Sequence, residues 1–431
     1  MSDAEGKILL TTGGCFILNK QFKLMDNGDS INSFFTYRSW CKGYDDGDFP
    51  VEQNNTILPY PDSPHLKIVL NLDFDYAPNR SFVPIPYHLF YHVVDIRQNG
   101  ALGKVTQWKK IALSDTLGRG QIQAIRHKNG ISWWLLTPRW NSNCYFITEV
   151  TPFGVQIARK QCLGSTWYTN HTNDTGGLAA SSSNGTKYAR INSYNNFLVL
   201  FNFNNSDGEL SNPIELTFPE TDNYPRGVCF SPNTRYLYVA AKFHLYQYDL
   251  NASNIQASIQ LVGDLSNLVL NSEKGLLRFP KLAPDGKIYI SSPFSHKFLS
   301  VINRPNCPGK LCDFKAHSLE LPAYNYNGLP NNPFFEIPPA NYSCDSLATT
   351  AEIIEPITLY PNPATNQISI SSTEAFQTFE IIDITGKIVL KGKMNDKNDI
   401  AVSGLPDGLY FLTLKNTSTQ ARAIGKFVVK H

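Results

Sequence analysis

Short runs of alternating apolar and polar residues recur along the first three quarters of the chain. Each follows a turn rich in Asn, Asp, Gly or Pro. The turn-then-strand phrase occurs six times, at 4–10, 61–70, 127–136, 182–191, 231–240 and 283–292. The last four are marked by Asn129, Asn184, Asn233 and Asp285, which are spaced by 55, 49 and 52 residues. A period near 50 without helical interludes is typical of β-propeller blades.

The pattern therefore predicts an all-β chain with a β-propeller over residues 1–344. Each blade is expected to be a four-stranded antiparallel sheet whose inner strand starts after the turn. Six repeated units are visible, and we expect about seven blades, with the first blade incomplete at the N-terminus. A stack of unrelated β-sandwich domains is the alternative, although such strands would not keep one common phrase at this spacing.

A second, smaller domain is predicted after a linker at 345–356. Residues 357–431 contain about seven short alternating strands separated by Pro, Gly, Asn and Asp, which is typical of a small Ig-like β-sandwich. Pro361 and Pro363 cannot donate to a sheet ladder, so they are expected at an edge or at the entrance of a strand.

Composition and charge narrow the possible partners. Aromatic residues make up 12% of the chain, charged residues only 17%, and the net charge is +2 with Lys and Arg scattered. This favours neither a nucleic-acid partner nor an acidic substrate. There is no run of about 20 apolar residues, so no transmembrane segment is predicted. The N-terminus lacks a signal-peptide pattern, and the early strand suggests a truncated start or a removed signal.

Four pieces of the last 75 residues or so carry a family resemblance. The chain's end resembles the type A C-terminal sorting domain of the type IX (Por) secretion system of Bacteroidetes-type bacteria. The matching residues are Tyr360, Pro361, Asn362, Pro363, Asp383, Gly386, Lys387, Gly408, Tyr410, Lys426, Phe427 and Lys430. The resemblance implies export by the type IX secretion machinery at the outer membrane, and a secreted or outer-cell-surface location. In that family the domain is usually cleaved off, and the passenger is released or attached to surface lipopolysaccharide. A terminal sandwich that binds carbohydrate or braces the propeller is the alternative.

The front of the chain is similar to the propeller region of secreted Bacteroidetes proteins that carry such tails. The similarity lies in stretches such as 87–105, 124–155, 224–240 and 279–291. That family usually begins with a signal peptide and part of a first blade, which this sequence lacks. The resemblance therefore implies a truncated start and a ring with an open edge.

Eight cysteines indicate disulfides rather than a metal site, because no CxxC pair occurs. Cys307 and Cys312 lie across a Pro-Gly turn, and Cys144 and Cys162 flank a predicted hairpin, so we expect at least one of these candidate pairs to be oxidised. Eight reduced, buried thiols are the alternative. No metal and no cofactor are predicted.

One stretch in the second complete unit suggests a ligand site. Arg126, His127, Trp133 and Trp134 surround a turn that could face the channel mouth, where they could bind an anionic or sugar ligand. Adjacent strand residues point to opposite faces, so at most one tryptophan serves any one surface. The alternative is that one tryptophan packs between blades and His127 bonds a backbone carbonyl.

Acidic residues give weaker signals. Asp45, Asp46 and Asp48 could hold calcium in a loop, but a solvated acidic turn fits their spacing better. A further acidic group is Asp73, Asp75 and Asp95, which the sequence cannot place in one pocket.

The sequence contains no recognised catalytic motif, and we predict that the propeller is not an enzyme. The prediction is an extracellular or cell-surface binding and adhesion scaffold with a possible glycan or protein ligand. The alternatives are a propeller hydrolase or lyase acting on polysaccharide, and a structural surface protein that self-associates.

Overall fold

The computed structural model describes the chain except for residues 4, 30, 34–35, 37–40, 43–50, 78–79, 166–177, 193–195, 221–226, 271–272, 275, 293–295, 326–327, 332, 334–341, 345–356, 373–374, 396–397 and 417–421. The chain forms two compact units, Met1–Cys344 and Asp345–His431. The division follows Cys344, where the sequence predicts the propeller to end. The predicted linker at 345–356 and the acidic group Asp45, Asp46 and Asp48 lie outside the described residues.

The first unit consists of antiparallel sheets whose strands follow one another in chain order. A hairpin comes first, with strands β1 (Leu10–Thr12) and β2 (Ile17–Asn19). The first sheet has β3 (Asn55–Pro59), β4 (Leu66–Ala77), β5 (Arg80–Asp95) and β6 (Lys104–Ser114). The second has β7 (Gln123–Arg126), β8 (Trp133–Pro138), β9 (Cys144–Thr151), β10 (Gly154–Val155) and β11 (Arg159–Cys162).

The remaining sheets of this unit repeat the pattern. The third has β12 (Ala179–Ser181), β13 (Lys187–Asn192), β14 (Phe197–Asn204) and β15 (Glu209–Thr217). The fourth has β16 (Gly227–Phe230), β17 (Tyr236–Ala241), β18 (His244–Asp249) and β19 (Gln260–Asp264). A two-stranded pair follows, β20 (Val269–Leu270) and β21 (Glu273–Lys274). The fifth has β22 (Phe279–Leu282), β23 (Ile288–Ser291), β24 (His296–Ile302) and β25 (Phe314–Asn325).

Five sheets are therefore complete blades in the described part of the chain, fewer than the seven or so expected. The first of the six phrases, at 4–10, leads only into the β1–β2 hairpin. That hairpin packs Leu10 and Ile17 on Val69 and Val94 of the first sheet. The architecture is the predicted β-propeller.

The repeated phrase proves to be the turn between the first and second strands of a blade. At all four marked turns, the marker's side-chain oxygen accepts a hydrogen bond from the backbone N–H two residues later. The distances are 2.9 Å at Asn129, 3.1 Å at Asn184, 3.1 Å at Asn233 and 3.0 Å at Asp285. This local bond fixes a tight reversal. The expectation that the inner strand follows the turn is wrong, because the short first strand precedes it and meets its neighbours at the axis.

Alternating side chains bury both faces of the inner blades. Leu70 packs with Trp133 and Leu135 between the first and second sheets, whereas Trp134, the next residue, packs between the second and third sheets with Phe201. Similar apolar clusters join the third sheet to the fourth and the fourth to the fifth. The period-2 pattern thus places one apolar set in each gap between blades.

Polar contacts link the first and last blades near the axis. The Arg278 Nη2 atom, just before β22, lies 2.7 Å from Glu52 Oε1, just before β3. The Asn331 side-chain amide donates to the carbonyl oxygens of Ile122 at 2.9 Å and Asn55 at 3.2 Å. The chain that follows the fifth blade therefore returns to the beginning of the first two. The open edge that the resemblance implied is bridged at the axis by these contacts.

Helical structure is sparse in the described residues. The turn at Gln98–Ala101 has left-handed φ angles of 53° at Asn99, 64° at Gly100 and 62° at Ala101, and two 3₁₀ turns span Gln256–Ser258 and Gly309–Cys312. Among these residues no helix has the length and apolar character needed to span a membrane.

The second unit is the predicted small sandwich of seven strands. Its three-stranded sheet contains β26 (Thr358–Tyr360), β27 (Gln367–Ser371) and β30 (Asp399–Ala401). Its four-stranded sheet contains β28 (Thr378–Asp383), β29 (Ile388–Lys393), β31 (Gly408–Lys415) and β32 (Arg422–Val429). Buried residues such as Ile368, Ile381, Leu412 and Phe427 fill the space between the sheets.

Three disulfides lie in the first unit, and one differs from the prediction. Cys144 and Cys162 form the predicted bond between paired strands β9 and β11. The proposed Cys307–Cys312 bond is wrong, because Cys307 pairs with Cys344 and Cys312 is a buried free thiol. Cys312 closes a 3₁₀ turn and faces the gap between the fourth and fifth sheets, where it packs with apolar side chains. The third bond joins Cys15 to Cys41.

One marked turn carries a residue that its backbone conformation disfavours. The residue after the marker has φ of +73° at Gly130, +69° at Gly185 and +78° at Gly286, but the fourth blade has Thr234 at +63°. This left-handed conformation is costly for a β-branched residue, by about 1–2 kcal/mol. The Thr234 hydroxyl is also buried without a hydrogen-bond partner.

We expect Thr234→Gly to raise the free energy of unfolding by up to about 1 kcal/mol. This figure is the strain relieved in the folded state minus the stabilisation of the unfolded chain by the more flexible glycine. Calorimetry provides the measurement.

Gly130→Thr is the matched control. A Cβ atom at Gly130 meets no atom within 4 Å, so backbone strain alone should lower the midpoint of unfolding. A lower midpoint in Thr234→Gly would contradict the strain assigned to this turn.

The disulfide pattern predicts the thiol content of the protein. Cys229 and Cys312 are the only two of the eight cysteines left unpaired, and both are buried. The unreduced protein should therefore show two reactive thiols per chain in denaturant and eight after reduction, counted by alkylation and mass spectrometry. Alkylation of Cys307 or Cys344 without reduction would rule out the bond between them.

Candidate functional site

A cavity opens on the axis of the first unit, where the first strands of several blades converge. It has an empty volume of about 790 Å³, open mouth included. The third residue of each of four inner strands lines it, and these residues are Ile125, Ser181, Cys229 and Lys281. The inner strands of four blades therefore supply much of the lining, including one residue at the same strand position in each blade.

Of the four ligand residues predicted from the sequence, two line the cavity and two do not. Arg126 and Trp133, which are paired across β7 and β8, line the cavity. The Arg126 guanidinium donates to the Gly130 carbonyl oxygen from Nε at 3.0 Å and from Nη2 at 2.6 Å. Trp133 is 4% exposed, so only the edge of its ring is available to a ligand.

His127 and Trp134 have structural contacts away from the cavity lining. His127 Nδ1 accepts a hydrogen bond from the Asn129 backbone N–H at 2.9 Å, and its ring stacks on Trp134 with centroids 5.2 Å apart. Trp134 Nε1 donates to the Asn205 carbonyl oxygen at 3.0 Å. Trp134 therefore holds the second blade against the third and His127 packs on its ring, which corrects their grouping with Arg126 and Trp133.

Lys281 and Cys229 are cavity residues that the sequence reasoning missed. Burial lowers the pKa of Lys281 to about 8, with the neighbouring Cys229 acting in the opposite direction. Burial likewise raises the pKa of the Cys229 thiol to about 12, so it is neutral at physiological pH. Their position in the sequence repeat could have identified them, because each is the third residue of an inner strand that precedes a marked turn.

Side-chain amides organise one end of the cavity. Gln53 forms two bonds with the backbone of Ala179, donating to its oxygen at 2.8 Å and accepting from its nitrogen at 2.9 Å. Gln123 Nε2 donates to Asn331 Oδ1 at 3.2 Å. These amides link the first three blades at one end of their short inner strands.

The predicted acidic group does not converge on the cavity. Asp73 accepts hydrogen bonds from the Ser33 backbone N–H at 3.0 Å and the Thr36 hydroxyl at 2.9 Å. Arg97 donates to Asp95 and is the main cause that lowers the Asp95 pKa to about 2. No Asp or Glu is among the described residues that line the cavity. In the described part of the chain, no three His, Cys, Asp or Glu side chains are grouped as metal ligands.

In the second unit, the predicted sorting motif is brought together although its pieces are distant in sequence. The Asn362 side chain accepts from the Val428 backbone N–H at 2.9 Å and donates to the Lys426 carbonyl oxygen at 3.4 Å. Ala364 and Lys430 add backbone bonds of 2.8 and 2.9 Å between the loop and the last strand. The entry loop is therefore fastened to the C-terminal strand.

A row across the four-stranded sheet joins the other motif pieces. Asp383 pairs with Tyr410, and Tyr410 pairs with Phe427, across β28, β31 and β32. The Tyr410 ring stacks on Phe427 at 5.8 Å, and its hydroxyl donates to the Pro406 carbonyl oxygen at 2.8 Å. Asp383 also caps the turn that contains Gly386 and Lys387: its Oδ1 accepts from the Lys387 backbone N–H at 3.2 Å.

Several motif residues remain available at the surface. Tyr360, Pro361, Asn362 and Pro363 are exposed in the loop, as are Lys426 and Lys430 on or beside β32. The inward residues Tyr410 and Phe427 support this surface from below. The motif thus divides into a buried half that fixes the fold and an exposed half that a partner can contact.

These features define the class of protein, a β-propeller followed by a small Ig-like sandwich. The sandwich can be identified further: residues 358–430 match the model of the secretion system C-terminal sorting domain, Por_Secre_tail. The chain therefore carries a sorting domain of type IX secretion, as its resemblance implied, and is a substrate of that export route.

Solved structures give distant likenesses. Pseudomonas aeruginosa periplasmic gluconolactonase, PpgL, is 11% identical with a TM-score of 0.39, covering 64% of this chain and 87% of that one. A Lactobacillus plantarum protein is 11% identical with a TM-score of 0.39, covering 88% and 90%. PorZ, a surface component of the type IX secretion system of Porphyromonas gingivalis, is 13% identical with a TM-score of 0.32, covering 100% and 51%. None of these likenesses is strong enough to transfer an activity. A comparison with curated proteins found no match.

Proposed function

We propose that the propeller acts outside the cell as a binding and adhesion scaffold whose ligand, a glycan, engages the mouth of the axial cavity. The observation that carries the proposal is the convergence of four inner strands on one cavity with Arg126 and Trp133 at its wall. Lys281 adds a second cationic side chain, and Ser181 adds a hydroxyl. Hydroxyl, cationic and aromatic groups together suit a saccharide, which combines polar edges with apolar faces. We propose that this cavity binds its ligand without catalysing a reaction on it.

The sorting domain supplies the location of this scaffold. We propose that it delivers the propeller to the medium or the outer cell surface, with the exposed half of the motif contacting the secretion machinery. Asn362 is central in that surface, since it is exposed and its side chain bonds both flanks of Phe427.

Export can be tested in a type IX-secreting host with a signal peptide placed before Met1. Deletion of residues 357–431 should retain the propeller in the cell, and Asn362→Ala should reduce export because the loop is no longer fastened to β32. Asn366→Ala is the matched control, since Asn366 accepts its bonds from Val402 and Ser403 through its backbone carbonyl. Cell fractionation provides the measurement, and normal export of the deletion variant would refute the assignment.

Glycan binding can be tested on an array with the purified protein. A hit that depends on the cavity should lose at least about tenfold in affinity, roughly 1.4 kcal/mol, in Lys281→Met. His127→Gln should retain affinity, because His127 lies away from the cavity lining. A reproducible hit that survives the Lys281 substitution would place recognition elsewhere on the propeller.

A further inference from the structure

A cluster of polar side chains lies on the fourth blade, at the end opposite its marked turn. Glu220 belongs to the connection between the third and fourth sheets, His244 is the first residue of β18, and Ser266 follows β19 by two residues. Antiparallel order brings these three connections to the same end of the sheet. A backbone bond of 2.8 Å from Leu265 N–H to the Phe243 carbonyl oxygen holds two of them together.

The distances in this cluster follow the order nucleophile, base, carboxylate. Ser266 Oγ lies 3.3 Å from His244 Nε2, and His244 Nδ1 lies 2.6 Å from Glu220 Oε1. The Tyr246 hydroxyl donates to the same Glu220 oxygen at 2.9 Å and fixes that carboxylate. A serine, a histidine and an orienting carboxylate at such distances are the recurring parts of a serine hydrolase site.

This role requires one tautomer of His244. Because an ionised carboxylate can only accept, Nδ1 must carry a proton for Glu220. In the neutral imidazole, Nε2 is then the acceptor that faces Ser266. Solvent exposure also increases along the cluster. The Glu220 side chain is 10% exposed, the His244 side chain is 27% exposed, and Ser266 is exposed at the surface.

Asp264 is a fourth member with a clear physical effect. Its Oδ1 accepts from Ser266 Oγ at 2.6 Å and from the Ser266 backbone N–H at 2.8 Å. It thus holds the resting hydroxyl and fixes the turn. The same oxygen lies 3.7 Å from His244 Nε2, where it would stabilise the charged imidazolium that forms when the serine proton is transferred.

We propose that Ser266, His244 and Glu220 form a surface site that hydrolyses carboxylic esters. The Ser266 hydroxyl first turns its proton from Asp264 Oδ1 to His244 Nε2. Its Oγ then bonds to the ester carbonyl carbon as Nε2 takes the proton, the bond between the acyl carbon and the alcohol oxygen breaks, and the alcohol leaves with that proton. Water then adds to the acyl carbon and gives a proton to Nε2. Release of the carboxylic acid returns the proton to Oγ. Glu220 is a positioning residue that orients the imidazole.

The exposed position of Ser266 selects the substrate class. A serine at the surface can reach an acyl group that projects from a larger molecule, such as an esterified polymer. The protein does not need to enclose that molecule in a pocket. This activity goes beyond the binding function proposed for the axial cavity and uses none of the cavity residues. Failure of one proposal therefore leaves the other open to its own test.

The test uses the full disulfide-bonded protein with a fluorophosphonate, which bonds covalently to activated serines, and p-nitrophenyl acetate as substrate. We expect the label on Ser266 in peptide mass spectra, and at least about a tenfold loss of ester hydrolysis in Ser266→Ala and in His244→Asn. Glu220→Gln should lose labelling, whereas Glu220→Asp should retain part of it, which a merely structural role would not predict.

Ser206 provides the matched control. Its backbone N–H also bonds the side-chain oxygen of the residue two before it, Asn204, at 3.1 Å, and it is exposed. Ser206→Ala should therefore leave labelling and hydrolysis unchanged. The proposal is overturned if Ser266 is labelled no faster than Ser206, or if its labelling persists in a folded His244→Asn variant.

Discussion

The first unit depends on one local hydrogen bond that recurs in four of the five complete blades described. A side-chain oxygen of Asn or Asp accepts from the backbone N–H two residues on, and this bond reverses the chain between the first and second strands. Once the reversal is fixed, the register of the second strand is fixed too, and a slip by one residue would turn every side chain to the wrong face. The apolar gaps between blades follow from that register. So does much of the axial cavity, because Ile125, Cys229 and Lys281 lie four residues before their markers and Ser181 lies three residues before Asn184.

Much of the architecture could be predicted from the sequence because its cause is local. Each marked turn and the period-2 alternation that follows it lie within about ten residues, so the sequence alone predicts the repeat and the antiparallel sheets. The opposite faces of Trp133 and Trp134 follow from the same geometry and are seen in the two separate apolar clusters. The sandwich and its sorting motif were also predictable, since four sequence pieces occur in a fixed order.

What could not be predicted depends on distant contacts. Nothing near Cys307 shows that its partner is Cys344 rather than Cys312, because the choice depends on where the chain returns after the fifth blade. Lys281 appears in sequence as one more strand residue, and only the convergence of four inner strands makes it a cavity residue. The residues Ser266, His244 and Glu220 lie in three separate connections, so no short sequence motif indicates that they form a cluster. The number of complete blades and the place of the short first strand were likewise decided by assembly.

The bond between Cys307 and Cys344 has a consequence for the mature protein. Cys344 is the last residue of the first unit, and its partner lies between two strands of the fifth blade. A pull on the chain beyond residue 344 is therefore transmitted to a covalent crosslink instead of to the hydrogen bonds of the last sheet. A proteolytic cut after this residue would leave a propeller whose new chain end is covalently tied to the fifth blade.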